Sequence, residues 1–188
     1  DHAREGMQSD LAQMEAIITQ FLDYARPTDA VHFQAIDLST LLNQVAREAE
    51  RDTQVKIHAA IDASLQVSGN QTDLLRVLSN LIENAKRYGK TAGTEFTELY
   101  LGARREAGQI LIELADHGSG LPAEQIAYLL RPFTRMDSAR SQANGAGLGL
   151  AIVKHALSRH QGHLEIRSQV NEGSTFEAWF PKERFSRS

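Results

Sequence analysis

Asn80-Leu81-Ile82-Glu83-Asn84-Ala85-Lys86-Arg87-Tyr88 closes an apolar pattern that begins near Asp73. Leu74, Leu75, Leu78, Leu81, Ile82 and Ala85 recur at three- and four-residue steps, which predicts a helix over Asp73–Arg87 with those side chains buried. Asn80 and Asn84 are four residues apart and so share one face of that helix. Asparagine suits a helix interior poorly, because its amide competes for backbone partners. Two of them beside a Leu/Ile stripe want polar partners. Neighbouring loops could supply these. Equally, an amide oxygen is a suitable hard ligand for Mg²⁺, which keeps several waters and takes its remaining ligands from protein and phosphate. From this stretch both readings stand.

Two glycine motifs lie further along the chain. Asp116-His117-Gly118-Ser119-Gly120 follows a predicted strand. It can be a simple turn. Alternatively, the carboxylate can accept from an exocyclic amine while the glycines let a flat ring approach the backbone. Gly145-Ala146-Gly147-Leu148-Gly149-Leu150-Ala151-Ile152-Val153 runs glycines straight into a predicted helix, Leu148–His160. Bare N–H groups and the helix dipole at that point favour phosphate. A dinucleotide fold would need those glycines directly after a strand, and a P-loop would need Gly-Lys-Ser/Thr, which is absent. The polar stretch between the motifs holds one short predicted helix, Glu124–Leu130; a loop of this length points to function or disorder, and its glycine ends favour function.

The flanking pattern sets the architecture. Leu11, Met14, Ile17, Ile18, Phe21, Leu22 and Ala25 predict one amphipathic helix over residues 1–26, ended by Pro27. Residues 27–36 read as a linker and edge segment. Leu38–Arg51 is a second amphipathic helix, capped by Asp37 or Ser39. Strands are expected at Val55–Ile61, Leu65–Val67, Glu98–Arg105, Gln109–Ala115, His163–Ser168 and Thr175–Phe180, with a turn at Gly69-Asn70. Helices over a mixed sheet make an α+β two-layer sandwich preceded by one long helix.

Composition narrows the function classes. The 188 residues suffice for one domain with a full core and a small extra element. With 41% hydrophobic and 23% charged residues, the chain reads as ordinary globular sequence rather than a disordered one. A net charge of −4 gives no electrostatic footprint for nucleic acid. With no cysteine, disulfides, thiolate metal sites and Cys nucleophiles are excluded. No apolar run reaches a membrane-spanning length, and residue 1 is Asp rather than Met. The expectation is a piece of a longer protein.

In this order and spacing, the three motifs resemble the N, G1 and G2 boxes of sensor histidine kinases. Phe133 in Arg131-Pro132-Phe133-Thr134-Arg135 resembles the F box, and Gly173-Ser174-Thr175-Phe176-Glu177-Ala178-Trp179-Phe180-Pro181 the closing strand. The resemblance covers about residues 8–182. Ile17–Arg26 and Phe133–Arg140 look like the osmosensor (EnvZ-type) group.

The resemblance implies a Bergerat-type ATP fold, as in gyrase, Hsp90 and MutL, over residues 37–188 with a lid at about 121–146. It implies that Asn84 holds Mg²⁺ bridging the phosphates of ATP, that Asn80 assists there and that Arg87 reaches a phosphate, these three forming the catalytic set. Asp116 would receive the adenine amine and Tyr88 would pack on the base. Gly118 and Gly120 would line the base pocket. Gly145, Gly147 and Gly149, with Leu148, would cradle phosphate. Phe133 would anchor the lid, Arg135 and Arg140 would reach phosphate from it, and Thr175 would contact the nucleotide. Residues 1–26 would be the second helix of a dimerisation and phosphoacceptor domain, in a homodimer that passes phosphate to a response regulator. The parent protein would sit in the bacterial inner membrane, with this part cytoplasmic.

Two departures matter. The family's acceptor is a His followed by an acidic residue, Arg and Pro, and none of His2, His32, His58, His117, His155, His160 and His163 has that context. The phosphorylated histidine is therefore expected on a helix absent from this chain. In ATPase relatives, a water-activating Glu stands four residues before the Mg-binding Asn. Here that position is Asn80, which is not a base, and Glu83 is expected to point about a quarter-turn away from Asn84. Phosphoryl transfer needs mainly positioning and charge stabilisation, so transfer to histidine is favoured over hydrolysis. The competing readings are an ATP-driven conformational clamp, which Asn80 argues against, and a non-catalytic nucleotide-sensing module, which the complete motif set argues against. A serine-kinase anti-sigma factor shares the fold, but residues 1–26 favour the two-component class.

Overall fold

A computed structural model describes residues 33–91, 93–132, 134 and 147–181, together with Met7, Met14, Ile18, Phe21 and Leu22. Those five residues are helical and exposed. The rest of the predicted helix over 1–26 lies outside the described residues.

The chain then runs β1 (Gln34–Asp37), α1 (Leu38–Ala49), β2 (Val55–Ile61), β3 (Gln66–Gly69), α2 (Gln71–Tyr88), β4 (Thr97–Glu106), β5 (Gln109–Asp116), α3 (Ala123–Leu129), α4 (Gly149–Arg159), β6 (His163–Gln169) and β7 (Gly173–Phe180). Five strands form a mixed sheet in the order β2-β4-β5-β7-β6. The β2/β4 pair is parallel and the other pairs are antiparallel. β1 and β3 form a separate antiparallel pair; β1 begins inside the segment expected as linker and edge, whose residues 27–32 lie outside the described ones.

Strand alternation decides the layers. Leu99, Leu101 and Ala103, Ile110, Ile112 and Leu114, and Phe176, Ala178 and Phe180 are buried in one cluster with α1, α2 and α4. Residues of the opposite parity, such as Tyr100, Arg104, Glu113 and Trp179, lie on the other face. This is the predicted two-layer sandwich.

Caps fix the helices that carry the motifs. Asp37 starts α1: its Oδ1 accepts from Thr40 N at 2.9 Å and its Oδ2 from the Thr40 hydroxyl at 2.8 Å. The predicted Gly69-Asn70 turn is instead the end of β3 and the N-cap of α2, where Asn70 Oδ1 accepts from Asp73 N at 3.1 Å. On α2, Leu74, Val77, Leu78, Leu81, Ile82 and Ala85 are buried. Leu75, expected among them, is 38% exposed. It lies a hundred degrees around the helix from Leu74, and Val77 takes its place in the stripe.

Candidate functional site

The polar face of α2, the end of β5 and the start of α4 converge on one cavity. From α2 come Asn80, Glu83, Asn84, Arg87 and Tyr88, and from α4 Gly149 and Leu150, preceded by Gly147. Asp116, Ser119, Gly120, Leu121, Leu129, Thr134, and Ser174 and Phe176 of β7 complete the lining.

Asn80 shows how its amide is set. Its Nδ2 donates to the Arg76 carbonyl at 2.8 Å, one turn back. That turns its oxygen toward α4. A Cβ built on Gly149 would stand 3.1 Å from Asn80 Oδ1 and 3.7 Å from Asn84 Oδ1. Only glycine leaves the space between the two amides and the α4 N-terminus open. Two amide oxygens beside bare helix N–H groups suit a phosphate with a divalent cation, because hard cations take oxygen ligands. The donor set therefore fits Mg²⁺. Among the described residues, no group of three or more His, Asp or Glu forms a metal site of another kind.

Asp116 ends β5 with its carboxylate buried. Oδ1 accepts from Gly118 N at 2.9 Å and from Ser174 N at 3.3 Å. Both bonds fall on one oxygen, so the other keeps its capacity to accept. Burial raises the carboxyl above its usual range, while the Gly118 and Ser174 N–H bonds and nearby His117 pull the other way. Such a group is well suited to accept from a donor that arrives with a ligand. Gly120, at φ +63°, lies against the β6–β7 hairpin, where a Cβ would reach 1.9 Å from Gln169 O. The backbone after Asp116 can therefore lie flat on that hairpin only as glycine.

Of the residues singled out in the sequence, Asn80, Asn84, Arg87, Tyr88, Asp116, Gly120, Gly147 and Gly149 line this cavity. Gly118 does not: it packs on the backbone of Tyr88 and Gly89 and serves Asp116 through its N–H. Leu148 is fully buried as the N-cap of α4, a packing residue rather than a wall residue. Thr175 is corrected by one position. Ser174 pairs with Asp116 across β5 and β7, so Ser174 and Phe176 face the cavity while Thr175 takes the other face of the sheet. Glu83, a quarter-turn from Asn84 on α2, also lines the cavity, and its carboxylate pairs with Lys86 at 3.3 Å. Lys86 also reaches Asp52 at 3.0 Å, and that pairing raises its ammonium above the usual range. Phe133, Arg135, Arg140 and Gly145 lie outside the described residues. His117 is exposed beside Asp116 and is not part of the wall.

Sequence reasoning missed Ser119, Leu121, Leu129, Thr134, Leu150, Ser174 and Phe176. For Ser174 and Phe176 the signal was available: both share the parity of the apolar residues Ala178 and Phe180. For the others, wall membership depends on long-range placement that no local pattern encodes.

Known proteins resemble this chain in sequence and in fold. A family model described as histidine kinase-, DNA gyrase B-, and HSP90-like ATPase matches residues 69–184. The circadian input-output histidine kinase CikA of Synechococcus elongatus is 31% identical over 164 residues, 82% of this chain and 21% of its own. The phosphate regulon sensor protein PhoR of Haemophilus influenzae is 32% identical over 182 residues, 94% of this chain and 42% of its own. The solution structure of the histidine kinase domain of the E. coli osmosensor EnvZ superposes with a TM-score of 0.60 at 30% identity, covering 85% of this chain and 95% of that one. The chain thus spans less than half the length of these two curated relatives.

Proposed function

The chain belongs to the family of histidine kinase-, DNA gyrase B- and HSP90-like ATPases, and from that premise we propose that it binds Mg-ATP in this cavity and transfers the γ-phosphoryl group to a histidine. Its ATP-binding domain is of the sensor histidine kinase type. The observation that carries the reading is that the Asn80/Asn84 face, the glycine start of α4 and Asp116 meet around one space.

In this reading Asp116 accepts from the adenine amine and Tyr88 packs on the base. Gly147 and Gly149 admit the phosphates to the α4 N-terminus, joined by Gly145. Asn84, assisted by Asn80, offers its amide oxygen to Mg²⁺, which when bound neutralises phosphate charge. Arg87 stands at the same wall with a charge suited to a phosphate. Phe133, Arg135 and Arg140 belong to a lid over residues 121–146. Asn80, where an ATPase would need a carboxylate base, supports transfer over hydrolysis.

The acceptor histidine is supplied by a dimerisation helix outside these residues, in a homodimer whose second helix is residues 1–26. The phosphate passes on to a response regulator. The parent is an inner-membrane sensor with this part cytoplasmic; no helix among the described residues is long and apolar enough to cross a membrane. The EnvZ-like segments Ile17–Arg26 and Phe133–Arg140 support placement in the osmosensor group.

The test is calorimetric titration of the chain and of Asn84→Ala with ATP, with and without Mg²⁺. The expected result is micromolar to submillimolar binding, as for ordinary enzyme substrates (roughly 1 µM to 1 mM). It should need Mg²⁺ for full strength and fall at least about tenfold in the variant, the loss of one charge-assisted contact. Transfer to an added acceptor-helix domain would follow. No binding by the unmutated chain would overturn the reading.

A further inference from the structure

Behind the cavity wall, Ser168 of β6 makes three hydrogen bonds with one hydroxyl. Leu121 N donates to its Oγ at 2.7 Å, its Oγ donates to the Gly173 carbonyl at 2.9 Å, and its Oγ lies 2.8 Å from Ser174 Oγ. Ser168 and Ser174 are register partners across β6 and β7.

A hydroxyl has one proton and two lone pairs. The Gly173 carbonyl can only accept, so it takes the proton of Ser168. The Leu121 N–H can only donate, so it takes one lone pair. One lone pair remains for Ser174, and the Ser174 hydroxyl must therefore donate to Ser168. Its own proton is then committed away from the cavity, and toward the cavity Ser174 Oγ can only accept. Ser174 N donates to Asp116 Oδ1 at 3.3 Å, so the two side chains stand side by side in the wall.

We propose that Ser168 is a positioning residue for base selection: by fixing the Ser174 hydroxyl as an acceptor, it extends the acceptor edge begun by Asp116 and biases the site toward a base that presents an amine there, against one that presents a carbonyl. The inference rests on the ATP-binding reading above. The same hydroxyl holds the first residue of the segment after Gly120. Just before Gly120, Ser119 O accepts from Asn171 N at 2.8 Å.

The test compares ADP with inosine diphosphate, which carries a carbonyl in place of the adenine amine. Binding of each is measured by calorimetry for the whole chain and for Ser168→Ala, Ser168→Thr and Ser174→Ala. The unmutated chain should prefer ADP. In Ser168→Ala the Ser174 hydroxyl is free to turn and donate to the carbonyl, so the ADP-to-inosine-diphosphate affinity ratio should shrink roughly three- to tenfold, the worth of one neutral hydrogen bond. Ser168→Thr, which keeps the hydroxyl, should retain the ratio. In a Ser174→Ala background, Ser168→Ala should change the ratio no further, because the two act through one group.

Equal weakening of both nucleotides in Ser168→Ala would overturn the proposal and leave Ser168 as a structural tie only. An unchanged ratio, or additive effects in the double variant, would overturn it as well. Should Ser168→Ala not fold, Ser174→Ala alone decides: an unchanged ratio there overturns the proposal, and a reduced one supports it. A chain that binds neither nucleotide overturns the ATP reading itself, whereas binding with intact discrimination in Ser168→Ala overturns only this inference.

Discussion

At Asp116 the fold and the proposed ligand pull in opposite directions. Burial keeps its folded pKa above the unfolded value of 3.8. The folded protein therefore binds its proton more tightly, and the group costs stability increasingly as pH rises from that value through the raised pKa. A donor amine does the reverse, favouring the carboxylate. Adenine-nucleotide affinity should accordingly weaken as pH falls through the raised pKa. Asp116→Asn keeps an oxygen for Gly118 N and Ser174 N but faces the base with an amide N–H. It should lose affinity for ADP roughly ten- to hundredfold, as expected for a hydrogen bond to a charged acceptor, and lose the pH dependence with it. Its thermal unfolding without nucleotide should be unchanged or higher at pH 7. A variant that melts early and binds weakly in proportion would show that Asp116 serves the fold alone. The sequence made Asp116, Asn80 and Asn84 legible because a carboxylate before glycines and amides on an apolar helix are locally anomalous. Ser174 was less so, since serine fits any strand end and only the parity of β7 separates it from Thr175.

On the scale of elements, α2 and α4 were readable from periodicity, and the structure moves their ends by one or two residues. The pairing of β1 with β3 was not, because four-residue strands carry no period long enough to read and their partners lie about thirty residues apart. Nor was the fit of α4 on α2. Gly149 sits at the first turn of α4, where alanine would be the better helix former by about 1 kcal/mol. Its glycine is explained by the approach of Asn80, since a Cβ there would lie 3.1 Å from the amide oxygen. Gly149→Ala should therefore separate fold from function. Its melting temperature should hold or rise, while ATP affinity should fall about tenfold or more as the methyl fills the space offered to phosphate, a loss of order 1.4 kcal/mol. Calorimetry and thermal unfolding on the same preparation check both halves. Unchanged affinity would mean that the phosphates do not enter between α4 and the asparagines.

Across the whole molecule, one buried histidine ties the helices that carry the two halves of the site. His160 closes α4, with Nδ1 donating to Ala156 O at 2.7 Å and Nε2 accepting from Asn70 N, at the cap of α2, at 3.0 Å. Phe33 tilts against its ring at 5.0 Å and Phe180 meets it edge-on at 6.1 Å, so the entry to β1 and the end of β7 share the joint. These bonds need the neutral ring, because a protonated Nε2 would face a donor. Burial lowers its pKa from 6.5, and Arg159 does the same, while the Ala156 carbonyl and Asp73 oppose them less effectively. With the folded pKa below the unfolded one, the unfolded chain takes the proton first. The contribution of His160 is complete above about pH 6.5 and is lost as pH falls through the lowered folded pKa. His160→Gln can still offer Asn70 N an acceptor but cannot titrate. It should cost about 1 kcal/mol at pH 7.5, the worth of an altered hydrogen bond, and the gap to the unmutated chain should close as pH drops toward 5. Denaturant unfolding at both pH values measures this. A gap that stays constant would show that His160 is held by packing alone, and that protonation leaves the joint between α2 and α4 intact.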